Sequence, residues 1–369
     1  METAISHALD HPYLMVIAAS ARMLAQAARR EGYRLLVVDC FGDQDTRCFA
    51  EESVCIPDLS DANVKKAIND FKARYPVELG IYGAGFEQHQ ASLRYLCSQL
   101  NVLGNQPDTF ANVQDKATFF SSLKKLGIPF PDTTFQVPDH KDGWLIKPLQ
   151  GQGGMGIGRF INDDNVERPV CWQRYQTGTA HSVLFLADGR RCRIIGFNRQ
   201  WTVALSESDE FVFSGIINDT ELTEKQCELL MSWVKKLTLE FSINGLNSLD
   251  FIKNDDEFYV LEINPRPPAS MQLYDGDLLS LHMNACHGKP PESFPQQNDV
   301  CGLQVVYAQQ KVGIPDGFAW PEGCQDIPGS GTLINAGQPI CSIINKGNDA
   351  AAVMDVLKQR KVYILQHLQ

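Results

Sequence analysis

Asp250, Glu262 and Asn264 are the residues whose types and spacing best suit chemistry. Asp250 sits in the run Ser248-Leu-Asp-Phe-Ile-Lys253. Glu262 and Asn264 sit in Phe258-Tyr-Val-Leu-Glu-Ile-Asn-Pro-Arg266, with a polar stretch at 254–257 between the two runs. The pattern predicts two strands around a turn. Glu262 and Asn264 are two residues apart and so share one face of their strand. Asp250 joins them if the register sets it opposite Glu262, which a loop of three or five residues achieves and an even loop does not. In that register Leu249, Phe251, Leu261 and Ile263 make the apolar face, and Ser248, Asp250, Glu262 and Asn264 an edge of the polar one. Hard oxygen donors gathered this way suit Mg2+, and one or two such ions can bridge nucleotide phosphates. A solvated sheet face also carries paired acids, but Arg266, just beyond Asn264-Pro265, adds a planar cation able to clamp a carboxylate or phosphate.

The second signal is Lys147-Pro-Leu-Gln-Gly-Gln-Gly-Gly-Met-Gly156, in which Gly151, Gly153 and Gly156 spell G-x-G-x-x-G. A dinucleotide fingerprint needs a helix after the glycines. Here 157–161 reads as a strand, so the loop is expected to be a flap between strands. A Walker A loop is excluded too, because no Gly-Lys-Ser/Thr closes it. Lys147 precedes the flap, where it can neutralise phosphate oxygens while flap amides cover them. A glycine-rich hairpin with a surface lysine is the plainer alternative.

These residues need a frame. Segments 13–19, 34–39, 54–57, 79–82 and 102–103 read as strands, alternating with helices at 21–31, 62–75 and 87–100, which implies a parallel sheet with helices on its faces. The turn after the first strand, Ala18-Ala-Ser-Ala-Arg22, lacks dinucleotide-binding glycines, although Asp39 supplies an acid at the end of the second strand. This argues against a nicotinamide oxidoreductase. Ser20 and Arg22, at the carboxyl end of the first strand, are expected on the substrate side; a helix N-cap is the competing role for Ser20. Residues 104–111 read as a linker and 114–126 as a helix stopped by Gly127. Strand signals dominate 144–263, apart from a helix at 223–239 with a Thr223/Gln226 capping box and an apolar stripe of Leu229, Leu230, Trp233, Val234 and Leu237. The tail, 300–369, reads as short strands, a helix at 350–359 and a last strand at 362–365.

The chain has 369 residues, 44% of them apolar, and a net charge of −11. That is globular composition on a scale of two or three domains. The acidic balance argues against general nucleic-acid binding. The first apolar run, 13–19, is too short to span a membrane and lacks the flanks of a signal peptide. Residues 1–12 read as a loose polar arm. Eleven cysteines without a C-x-x-C pair suggest free thiols in a reducing, cytoplasmic setting. His282, Cys286 and His287 form the nearest thing to a metal cluster, but their spacing does not suit a helix face.

Taken together, the ordered motifs resemble the ATP-grasp superfamily, which includes biotin carboxylase, carbamoyl phosphate synthetase and D-alanine–D-alanine ligase. The resemblance implies a mixed α/β and α+β architecture: a Rossmann-like domain at 1–110, a lid with its glycine flap at 111–180, a catalytic and metal-binding subdomain at 181–295, and a strand-rich segment at 296–369 packed on that core. Asn112-Val-Gln-Asp-Lys116 is similar to the segment carrying the first ATP lysine. Lys147 and Gly151, Gln152, Gly153, Gly154, Met155 and Gly156 are similar to the second lysine and its phosphate loop. Cys171-Trp-Gln-Arg-Tyr-Gln-Thr-Gly178 is similar to the hinge whose backbone reads adenine, which places Gln173, Arg174 and Tyr175 at the base. Asp250, Glu262 and Asn264 fall on the magnesium ligands and Arg266 on the arginine of E-x-N-x-R. Many members carry an acid after the hinge, near the ribose, where this chain reads Thr179-Ala-His181. Within the superfamily the chain looks most like carboxylase-related ligases, some from organisms that use tetrahydromethanopterin for one-carbon metabolism. Asp39-Cys-Phe-Gly-Asp-Gln-Asp45, Asn264-Pro-Arg-Pro-Pro-Ala-Ser270 and the Gly/Pro-rich tail carry that likeness.

The resemblance implies an ATP- and Mg2+-dependent ligase (Mn2+ able to substitute) that makes an acyl phosphate and ADP, then joins a small-molecule carboxylate to an amine or thiol. Lys147 and Arg266 would be its catalytic residues. A bicarbonate-using carboxylase and a non-catalytic nucleotide-binding module are the alternatives. Neither a nucleic-acid nor a membrane partner is expected, and a homo-oligomer is compatible with the reading.

Overall fold

A computed structural model describes residues 12–161, 168–289, 291, 294, 297 and 299–368. The polar arm before residue 12 and the boundary at 295/296 lie outside the described residues. The first third alternates β1 (Tyr13–Ile17), α1 (Arg22–Arg30), β2 (Arg34–Asp39), α2 (Gln44–Phe49), β3 (Glu52–Cys55), α3 (Asp61–Lys72), β4 (Leu79–Tyr82), α4 (Gln90–Gln99) and β5 (Asn101–Leu103). These strands form a parallel sheet in the order β3-β2-β1-β4-β5. Leu14 to Ile17 and Leu35 to Val38 are fully buried, as strands covered on both faces must be.

The residues expected to form a linker are largely helical. Helix α5 (Pro107–Gln114) begins with Pro107 in its first turn, where a missing N–H costs nothing, and ends one residue before α6 (Lys116–Leu126). Asp115 caps α6 by accepting from Thr118 N at 2.7 Å. A four-stranded sheet follows, made of β6 (Thr133–Thr134), β7 (Trp144–Pro148), β8 (Gly158–Arg159) and β9 (Val170–Arg174) in the order β6-β9-β7-β8.

The largest sheet takes β10 (Thr179–Asp188), β11 (Cys192–Val203), β12 (Val212–Ile217), β13 (Asn244–Asn254) and β14 (Glu257–Asn264). From the tail it adds β15 (Val300–Tyr307), β17 (Cys324–Gln325) and β19 (Pro339–Gly347). Its order is β14-β13-β10-β11-β12-β15-β19-β17; β16 (Val312–Gly313) and β18 (Leu333–Ile334) pair separately. Helix α7 (Glu224–Phe241) starts in the expected Thr223/Gln226 capping box. It buries Leu230, Trp233, Val234 and Leu237 beside Phe119 and Leu123 of α6, while Leu229 of the expected stripe is 41% exposed. Leu184, Leu186 and Leu246 pack, through α1 and α8 (Leu278–Cys286), against β1 and β2. The last element differs from expectation. Helix α9 (Ala350–His367) runs through 362–365, because Val353, Leu357 and Ile364 recur on one helical face and bury against β15 and β19. Among the described residues no helix is long and apolar enough to cross a membrane, and all eleven cysteines are free.

The first and largest sheets meet through a buried polar hub. Asn105 is 1% exposed. Its amide donates to Asn247 Oδ1 at 2.7 Å and to Pro265 O at 2.9 Å, and its Oδ1 accepts from Asn244 N at 2.7 Å. Tyr82 adds a hydroxyl donated to Asn105 O at 2.9 Å. His282 is a second staple rather than a metal ligand. Its Nδ1 accepts from Leu246 N at 2.8 Å and its Nε2 meets Leu103 O at 3.1 Å, so both ring nitrogens are used by backbone.

Two predictions follow from these staples. Asn105→Ala strands Asn247 Oδ1 and Asn244 N, leaves Pro265 O only its 3.3 Å bond from the Tyr82 hydroxyl, and should cost about 3 kcal/mol in urea unfolding. Burial pushes His282 down from 6.5 to about 4. Between those values the unfolded chain binds the proton and the folded chain does not. His282 therefore contributes stability above pH 6.5 that is lost as pH falls toward 4, about 3 kcal/mol in all. His282→Gln should flatten that limb of the stability–pH curve.

Candidate active site

The acidic hairpin is β13–β14. Its turn has two residues, Asp255 and Asp256, with Asp255 at φ 51°. An even turn should have split the carboxylates across the sheet, yet Asp250 pairs directly with Glu262 and Ser248 with Asn264. The expectation of an odd loop is corrected by a β-bulge. Pairing runs from Asn254↔Glu257 to Phe251↔Val260, then slips by one residue, leaving Leu261 extra. The bulge also changes the apolar face. Val260 takes the place opposite Phe251, and Leu261 turns to line the cavity.

Burial and the Glu262 carboxylate push Asp250 up to about 7, against hydrogen bonds from Ser248 Oγ at 3.2 Å and Asn264 Nδ2 at 3.0 Å. Asn264 Oδ1 accepts from Arg266 Nη2 at 3.2 Å. Two facing carboxylates and an adjacent amide oxygen are a hard donor set of the kind Mg2+ takes, and a cation there would relieve the repulsion that lifts Asp250. Among the described residues no cluster of three His, Cys, Asp or Glu side chains suits a metal.

Both lysines converge on this hairpin. Lys116, the first residue of α6, brings Nζ to 3.8 Å from Glu262 Oε2. Lys147, on β7, is 7% exposed and donates to Gln173 Oε1 at 3.0 Å. Its burial, with Lys116 nearby, lowers its pKa. Gln173 in turn donates to Thr133 Oγ1 at 2.9 Å, so its side chain is spent orienting the lysine. The hinge side chains of Arg174 and Tyr175 are also engaged: Arg174 lies over the Trp144 ring, and the Arg159 guanidinium lies over Tyr175.

The glycine loop joins β7 to β8 as a flap. Gly153, Gly154 and Gly156 have φ of 61°, 76° and 75°, a region other residues rarely adopt. The flap is tied to the β11–β12 loop and to the start of β12. Phe213 N donates to Gly153 O at 2.9 Å, Glu210 N to Ile157 O at 3.0 Å, and Gly156 N to Asp209 Oδ1 at 2.7 Å.

Arg266 donates Nε to Glu87 Oε1 at 2.8 Å, and Glu87 accepts from Gly85 N through its other oxygen at 2.7 Å. Glu87 thus fixes Arg266 from the first sheet. Sequence reasoning saw it only as a helix start, and no motif marks it. Arg22 is 2% exposed, donating to Asp326 at 2.9 and 3.2 Å and to Gln272 at 2.7 Å. Ser20 is not an N-cap: Ala21 precedes α1 and donates its N–H to Asp39 Oδ2 at 2.7 Å.

One cavity of about 990 Å3 collects Lys116, Lys147, Gly151–Met155, Gln173–Tyr175, Asp250, Glu262, Asn264, Arg266, Ser20 and Arg22. Gly156 alone of the expected site residues is not part of its lining. Residues 113–270 match the family model described as ATP-grasp domain.

The chain carries an ATP-grasp domain.

An uncharacterised protein of Methanocaldococcus jannaschii is 22% identical over 282 residues, 71% of this chain and 68% of its own length. The biotin carboxylase domain of Hydrogenobacter thermophilus 2-oxoglutarate carboxylase, solved with MgADP, ADP and bicarbonate, superposes with a TM-score of 0.73. It is 15% identical and covers 94% of this chain and 89% of its own. An L-amino acid ligase from Bacillus licheniformis has a TM-score of 0.73 and 13% identity over 95% of this chain and 97% of its own. The fold shared with these two structures therefore extends beyond residues 113–270.

The flap ties of this ATP-grasp domain generate a contrast between neighbouring glycines. A Cβ on Gly154 would stand 2.0 Å from Phe211 O, whereas one on Gly153 meets nothing within 4 Å. Gly154→Ala should speed amide exchange at Glu210 and Phe213 by about tenfold or more, and Gly153→Ala distinctly less.

Proposed function

We propose that the protein is an ATP- and Mg2+-dependent ligase that activates a carboxylate as an acyl phosphate, releases ADP and transfers the acyl group to an amine or a thiol. The observation that carries the reading is the convergence of Lys116 and Lys147 on the Asp250–Glu262 pair beneath a glycine flap.

In this reading the triphosphate lies between flap and hairpin. Lys116 and Lys147 neutralise its oxygens, and Lys147 is held in position by Gln173. The flap amides cover the phosphates and exclude water, which protects a hydrolysable intermediate. Adenine meets backbone along Gln173–Tyr175, because those side chains are engaged elsewhere. Asp250, Glu262 and Asn264 would hold Mg2+, the Asn264 amide rotating to offer its oxygen. Mg2+ supplies charge neutralisation of the phosphates. Arg266 keeps Nη1 for the acyl phosphate, and Nη2 as well once the Asn264 oxygen turns away from it, since Glu87 takes only Nε. Attack of a substrate carboxylate oxygen on the γ-phosphorus breaks the bond to ADP. The amine or thiol then adds to the acyl carbon and expels phosphate, losing one proton.

The test is ADP release from Mg·ATP with pooled carboxylates, with and without pooled amines, and with bicarbonate alone. ADP should form only with carboxylate and amine together, and Lys147→Ala should cut it by about a hundredfold or more. ADP driven by bicarbonate alone would favour a carboxylase. No ADP and no Mg·ATP binding would overturn the active-site assignment.

A further inference from the structure

The cavity has two unlike halves. Lysines, flap, hinge and acidic hairpin line one. The carboxyl ends of β1 and β2, the 3₁₀ turn Ala269–Leu273 and the tail line the other. This second half has little positive charge to spare. Asp326 holds Nε and Nη2 of Arg22, while Gln272 and Gln26 take Nη1. Arg266 is committed to Glu87 and to the reacting centre. Arg199, whose partner Asp219 is 3.8 Å away, pairs across the sheet with His181, just past the hinge, and so belongs to the nucleotide end. Around Arg22 and Asp326, moreover, stand three further carboxylates. Asp45 accepts from Asp326 N and Ile327 N, Asp39 accepts from Ala21 N, and Asp43 is 5% exposed. Burial, then Asp326, Asp39 and Asp45, push Asp43 up to about 8, so it is largely neutral at pH 7, and Asp39, Asp45 and Asp326 still outnumber Arg22. A phosphate dianion would lose its water here beside an excess of negative charge.

What this half does offer is apolar surface. Phe41 is 52% exposed at the cavity wall, and its backbone is pinned because Asp39 Oδ1 accepts from Phe41 N at 2.7 Å and from Gly42 N. Met23, Leu303 and Val305 line the same cavity, and Tyr307 presents its ring, its hydroxyl being donated to Phe213 O at 2.8 Å. An aromatic ring held in the open on a rigid turn is a stacking surface.

We propose that this half binds an apolar amine or amino acid that bears no phosphate, its hydrocarbon or aromatic part lying on Phe41 and Met23 and its reacting group toward Arg266. The inference rests on the ligase reading above. Of the acids among the described residues, Asp326 alone reaches the lining of this half, beside Arg22, and Phe41 is the specificity-determining contact.

The test uses the full chain with Mg2+ and the ATP analogue AMP-PNP, titrated calorimetrically. One arm takes L-phenylalanine, L-leucine and phenethylamine; the other takes O-phospho-L-serine and glucosamine 6-phosphate. The apolar arm should bind about tenfold more tightly or better. Phe41→Ala should weaken L-phenylalanine by about tenfold, and Phe41→Trp should keep it within about threefold. Analogue binding by both variants reports that they are folded. Equal or tighter binding of the phosphorylated arm, an unchanged Phe41→Ala, or nucleotide-loaded protein that binds no member of either arm overturns the proposal. Failure to bind Mg·AMP-PNP overturns the ligase reading itself, and this inference with it.

Discussion

Two carboxylates facing each other across adjacent strands repel, and Asp250 and Glu262 are held there by the backbone. The repulsion is visible in Asp250, which burial and Glu262 together lift to about 7. Much of the surrounding architecture answers this local charge. Lys116 approaches Glu262 from α6, Lys147 stands behind on β7, and Arg266 follows just past the end of β14. Because those cations come from separate elements, the site exists only when lid, hairpin and first sheet are assembled.

The assembly is enforced by polar contacts that are directional as well as buried. Asn105 joins Asn244, Asn247 and Pro265, so the loop after β5 is locked to both ends of the segment that presents Asp250 and Arg266. Glu87 reaches Arg266 from the short 3₁₀ turn that follows β4. Hydrophobic contact alone would let the sheets slide; hydrogen bonds with fixed geometry set their relative position.

The residues that gather at one cavity are more legible in the sequence than the means that unite them. The parallel sheet could be read because its strands are buried on both faces and run as continuous apolar segments. The pairing of Asp250 with Glu262 could be stated as a condition, but the bulge at Leu261 that satisfies it could not, since a bulge substitutes for a longer loop without a signature of its own. Helix α5 was hidden by turn-forming residues that serve here as a helix start. The end of α9 looks like a strand because three β-forming residues in a row, Val362, Tyr363 and Ile364, outweigh a face set by tertiary packing. Glu87 and Asp326 act across more than a hundred residues of chain, a distance at which local pattern says nothing.

The tail strands bear on how the chain is made. In the finished sheet β12 is flanked by β11 and β15, but β12 ends at Ile217 and β15 begins only at Val300. During synthesis, therefore, Ile216 and Ile217 sit on an open edge while helix α7, the acidic hairpin and α8 are still being translated. An unpaired apolar edge recruits other strands. β15 and β19 close it late, through pairings of long sequence separation, so the most exposed moment in the life of this protein falls before its last strands leave the ribosome.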